Sequence, residues 1–190
     1  MPKWTLQWGD GMKNAKQIAL CAVLVALALA LSYAERFFPL QLLIPLPGVK
    51  LGLANIVTLL ALCLLPAKYA FWILIPRCIL GALFGGGITG LLFSLTGGLL
   101  ALSVMVPARK SRFLSVYGVS ILGAGAHHVG QILAASVLMR SVYIGAYLPW
   151  LLLTGILTGF LTGGLTAGIL KLLPKAQLPF GQKGGAGYGG

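Results

Sequence analysis

Lys50, Asn55, Arg77, His127 and Gln131 are the residues whose types and positions could do chemistry, because each interrupts a stretch of chain that is otherwise almost wholly apolar. A charged group in hydrocarbon costs ~2.5 kcal/mol or more, so one that is present marks a candidate site. His127 and Gln131 stand one helical turn apart and can face the same space. His128 is displaced about 100° around the helix from His127, so the two adjacent histidines do not form a metal pair. Lys50, Arg77 and Arg36 are set against a single neighbouring acid, Glu35. A pocket built from these groups would be positive and suited to a carboxylate or phosphate. The cations would neutralise ligand charge, and the amides and imidazole would fix its orientation.

The absences narrow the chemistry further. Asp10 and Glu35 are the only acids in the chain, so there is no carboxylate pair for acid/base work and no aspartate cluster to hold magnesium and a diphosphate. There is no glycine-rich ATP loop ending in Lys-Ser/Thr and no nucleophile elbow. Cys21, Cys63 and Cys78 lie in separate apolar runs without paired spacing, which argues against both a disulfide framework and a metal site. The expectation is a protein that is not an enzyme and carries no cofactor or metal.

The elements that must position the polar residues are membrane helices. Of 190 residues, 58% are hydrophobic and only 8% charged, far from the roughly 25% charged residues of soluble domains. Apolar runs over residues 16–32, 51–65, 67–84, 88–106, 114–139 and 147–173 approach the ~20 residues that a bilayer requires. The pattern predicts an all-α integral membrane protein with six transmembrane helices over residues 16–174. An interfacial segment at 1–15 precedes them and a flexible glycine-rich tail at 175–190 follows. The net charge of +12 is distributed by side rather than by partner. Lys3, Lys13, Lys16, Lys68, Arg109, Lys110, Arg112, Lys171, Lys175 and Lys183 fall on one face, against Arg36, Lys50 and Arg140 on the other. Cations concentrate on the cytoplasmic face, so both termini are expected inside a plasma-membrane protein. The same cations suit anionic headgroups rather than nucleic acid.

Two prolines, Pro45 and Pro47, turn the approach to the second run into an irregular elbow that ends at Asn55. Irregular backbone at membrane depth persists where it is buried or lines a cavity. Ala22, Ala26 and Ala30 form a small-residue stripe on the first helix, as Gly155, Gly159 and Gly163 do on the last, where each glycine follows a threonine. Such stripes let helices approach closely. The last stripe is read as internal packing, and the first as a docking surface for a partner. Gly85, Gly86 and Gly87 predict a tight turn, and Gly97-Gly98 a loosened fourth helix.

The motif Pro47-Gly48-Val49-Lys50-Leu51-Gly52-Leu53-Ala54-Asn55-Ile56 resembles the Gx transporter family, also called heptaprenyl diphosphate synthase component I. Further matches are Arg77 with Leu80-Gly81, Phe93-Ser94-Leu95-Thr96-Gly97-Gly98, Gly118 to Ala124 leading to His127 and Gly130-Gln131, and Tyr147-Leu148-Pro149. His128 departs from the pattern, which usually has asparagine there. The resemblance implies a fold similar to the substrate-binding S components of energy-coupling-factor transporters, docked through helix one onto a transmembrane and ATPase energising module. The primary expectation is a membrane subunit that captures a small anionic or polar ligand from outside and depends on that module for energy. The alternative is a noncatalytic membrane subunit associated with a soluble polyprenyl diphosphate synthase.

The cation asymmetry yields a topology test. Reporter fusions after Gly87 and Ser141 should read external, and one after Lys110 cytoplasmic. The opposite reading at two of the three would overturn the six-helix map.

Overall fold

The computed structural model describes residues 13–37, 53–111 and 113–172. Lys50 with most of the proline elbow, the first twelve residues and the tail beyond residue 172 lie outside them. Among the described residues the chain is helical, with no strand. Helix α1 (Lys13–Ala34) runs into a short 3-10 turn at Glu35–Phe37. It is followed by α2 (Asn55–Leu64), α3 (Ala67–Gly81), α4 (Gly87–Ala108), α5 (Val116–Met139) and α6 (Leu148–Leu172), the last led in by a 3-10 turn at Val142–Tyr147. Helix α1 thus starts three residues ahead of the expected boundary at residue 16.

Local chemistry explains the breaks. Leu65 is extended because Pro66 follows it, and α3 begins at the next residue. Ser115 caps α5 by accepting the Gly118 N–H at 3.3 Å. Between α3 and α4 the chain passes through a π-turn at Ala82–Gly86, with Gly85 at φ 99° and Gly87 at φ 61°. These conformations cost glycine little and other residues much.

Four segments among the described residues are long and apolar enough to cross a membrane: Gln17–Ala34, Ala67–Ala108, Val116–Met139 and Val142–Leu172. The second, 42 residues long, is a helical hairpin. It reverses at the π-turn, so that Gly98 of α4 lies against Leu74 of α3. Helix α2 differs in kind. Its ten residues extend about 15 Å, half the ~30 Å of hydrocarbon, and residues 55–63 are all buried. It is a short central rod touching every other helix, too short to cross by itself.

The helices alternate in direction, which gathers the described cations. Tyr69 Oη, at the start of α3, donates to Gln17 Oε1 at the start of α1 (2.8 Å). Arg109 Nη1, just past α4, donates to the Leu62 carbonyl near the end of α2 (2.6 Å), where a cation also offsets the helix dipole. Tyr117 at the start of α5 meets Gly163 toward the end of α6. Lys68, Arg109, Lys110 and Lys171 therefore share one end of the bundle, and Arg140 stands at the other.

Glycine decides how closely the later helices pack. A Cβ on Gly130 of α5 would lie 2.7 Å from both Gly97 Cα and the Thr96 carbonyl oxygen of α4, and one on Gly159 of α6 would lie 2.6 Å from Ile121 Cα of α5. These are backbone obstacles that no rotamer change relieves. Ser120 donates to Thr162 Oγ1 (2.7 Å) across the α5–α6 seam, while Thr162 donates back to the Gly159 carbonyl at 3.1 Å. The threonine-glycine stripe of the last helix is thus internal packing. Gly97 and Gly98 do not loosen α4, which stays helical through them; they are points of contact.

Gly130→Ala should lower the melting temperature in detergent, at a cost of about 1–3 kcal/mol from overpacking. Gly168→Ala, in open space on the same bundle, should be neutral or gain about 0.5–1 kcal/mol of helix propensity. Equal melting shifts for the two variants would show that close packing at Gly130 is unimportant.

Candidate functional site

Arg77 follows Pro76 inside α3. The proline has no N–H to offer the Trp72 carbonyl and removes one helical hydrogen bond there. The arginine is only 6% exposed, and its guanidinium lies beside Gly98, where a Cβ would come within 3.2 Å of Nη2. Nε and Nη2 are buried and meet no hydrogen-bond partner among the described residues.

Arg77 lines a cavity of about 380 Å³ between α1, α3 and α4. Ser32, Tyr33, Cys78 and Ser94 contribute its other polar groups, and Leu29, Ala30, Gly81 and Phe84 its apolar walls. Ala30 and Phe84 are themselves exposed, so they stand at its mouth. A buried cation without a countercharge is unfavourable, and this one faces space that a ligand could fill. Glu35 does not neutralise it. The Glu35 carboxylate is buried and accepts the Leu53 N–H at the head of α2, where negative charge suits a helix start.

The second polar cluster is on α5. Gln131 is fully buried (0%), and His127 and His128 nearly so at 4% and 2%. Gln131 Nε2 donates to His127 Nε2 at 3.1 Å, and Gln131 Oε1 accepts from His128 Nδ1 at 3.2 Å. With the amide in this orientation, Nε2 of His127 accepts and Nδ1 of His128 carries a proton. The histidines do diverge, with ring planes 70° apart, yet Gln131 sits between them at i+4 from one and i+3 from the other. The spacing therefore carried a signal for His128 that a comparison of the two rings alone misses.

Glycine makes room for both rings. A Cβ on Gly97 would lie 2.8 Å from the His127 ring, and one on Gly155 would lie 2.8 Å from His128 Cδ2. The cluster thus ties α5 to α4 and α6. Among the described residues no three His, Cys, Asp or Glu side chains gather as a metal site would require.

The five residues anticipated as one ligand site are distributed. His127 and Gln131 are in contact; Arg77 lies on the other side of α4, against the next glycine. Asn55 opens α2, buried, with neither amide atom hydrogen-bonded among the described residues. None of Asn55, His127 and Gln131 lines the Arg77 cavity, and Lys50 is outside the described residues. The Ser94 hydroxyl and the α1 residues Ser32 and Tyr33 join Arg77 instead; nothing in their spacing singles them out. Ala22, Ala26 and Ala30 are exposed along one face of α1, while Leu24 and Ala28 turn to the core.

A family model described as heptaprenyl diphosphate synthase component I matches residues 24–169, which include every described site residue above except Ala22. No curated protein and no solved structure matches the chain.

Because Gln131 hydrogen-bonds one nitrogen of each buried ring, Gln131→Leu should destabilise the fold by about 1–3 kcal/mol for each nitrogen left unpaired, read as a lower melting temperature in detergent. An unchanged melting temperature would mean that the rings are satisfied without it.

Proposed function

The chain belongs to the heptaprenyl diphosphate synthase component I family, and from that membership we propose that it is the noncatalytic membrane component of a polyprenyl diphosphate synthase, working with a separate soluble component that carries the chemistry. The observation that carries this reading is the family match, which runs from the middle of α1 to near the end of α6. In this reading the chain crosses the plasma membrane as a six-helix bundle with both termini in the cytoplasm. The cation-rich end, with Lys68, Lys110 and Lys171, then faces the cytoplasm, where a soluble partner would meet it.

A second reading is a solute-binding subunit energised by an ATPase module. Two observations favour it: the exposed Ala22/Ala26/Ala30 face of α1, open to close approach by another helix, and the Arg77 cavity beside it.

Affinity purification of the full chain in mild detergent separates the two. The first reading expects a soluble prenyl synthase to co-elute, and Ala26→Leu to leave that capture intact. Capture of an ATP-binding module, lost in Ala26→Leu while the variant still inserts and folds, would replace the first reading with the second.

A further inference from the structure

We propose that the cavity between α1, α3 and α4 binds the phosphate-type oxyanion head of a ligand whose remainder is an apolar chain, with Arg77 as the charge that receives the head. Three observations lead there. First, Arg77 is more than nine-tenths buried, and two of its guanidinium nitrogens, Nε and Nη2, are buried with no hydrogen-bond partner among the described residues. A buried charge is retained at such cost when something occupies the space it faces, and the planar fork of arginine matches an oxyanion of two or more oxygens. Second, about 380 Å³ falls within the range of small-molecule sites, about 300–1,000 Å³, and exceeds what a phosphate head fills. Third, the lining is mixed. Ser32 and Ser94 line the cavity with Arg77, while the exposed residues at its mouth are Ala30, Phe84 and the Tyr33 ring. A fully polar solute would leave that mouth unsatisfied; a chain leaving through it would lie against apolar side chains.

Gly98 belongs to the same device as a positioning residue, since any side chain there would press on Nη2 of Arg77 and on Leu74. His127 and Gln131 do not take part. A phosphate head on an apolar chain has two sources, a prenyl diphosphate or a membrane phospholipid. The preference for the first rests on the function proposed above, whereas the site itself rests on the cavity.

The test uses the full chain purified in neutral detergent and radiolabelled farnesyl diphosphate. The probe should bind saturably, and neither farnesol, which lacks the head, nor inorganic diphosphate, which lacks the chain, should displace it at equal concentration. Arg77→Gln should weaken binding about ten- to a hundredfold, with Arg77→Lys between it and the wild type. Ala30→Phe, which fills the cavity from an exposed position without touching the charge, should also abolish binding. Displacement by farnesol as effective as by the unlabelled probe would overturn the proposal, and so would wild-type affinity in a folded Arg77→Gln. Should Arg77→Gln fail to fold, full binding by Ala30→Phe overturns it instead. Phosphatidylglycerol names the source: equal competition identifies a phospholipid and no competition a prenyl diphosphate, and either upholds the site. Because synthase capture is measured separately, loss of that capture with binding intact refutes only the function, and the converse only the site.

Discussion

The bundle depends on close backbone contact between helices, because in an apolar environment the hydrophobic effect does not distinguish a neighbouring helix from lipid. What distinguishes them here is the absence of side chains at chosen points. Gly130 brings α5 onto the backbone of α4 at Gly97, and Gly159 and Gly163 bring α6 onto α5 at Ile121 and Tyr117. At these separations, dispersion contacts accumulate along the seam, and the short Ser120–Thr162 hydrogen bond becomes possible.

The same constraint creates the slots for the buried polar groups. Gly97 and Gly98 are adjacent on α4 and face different neighbours, one admitting the His127 ring and the other the Arg77 guanidinium. Gly155 does the same for His128. The two polar clusters are chemically unlike. On α5, an amide between two rings joins three side chains through two hydrogen bonds, although His128 Nε2 is buried without a partner among the described residues, and the rings wedge against α4 and α6. On α3, the guanidinium is left with two buried nitrogens unmatched among the described residues and with a cavity in front of it. Of the buried groups left unmatched among the described residues, Arg77 is the one that lines the cavity, and there a ligand gains most.

The family and the geometry address different questions. Membership in the component I family concerns the assembly in which the protein works, and it suits a chain whose two acids, Asp10 and Glu35, cannot gather the metal ions that prenyl chain elongation needs. The geometry concerns what the cavity beside Arg77 has room and charge to receive. In the proposed reading, ligand cavity and docking face lie side by side, since Ala30 belongs to both.

The sequence by itself determined the helical class, the apolar segments and their breaks, because hydropathy, proline and glycine act locally. Pro66 separates α2 from α3, and the glycines at 85–87 reverse the α3–α4 segment, each through its own backbone preference. The polar candidates were also visible, since any charge or amide in so apolar a chain stands out. Their grouping was not. Their common position midway along apolar runs grouped Arg77 with His127 and Gln131, whereas the partition depends on which face of α4 each meets, a matter of helix rotation set by glycine contacts far apart in the chain. Tertiary packing alone joined Ser32, Tyr33 and Ser94 to Arg77 and set α2 at the centre. Burial and cavity shape are sums over contacts from several helices, and no local pattern in one segment carries them.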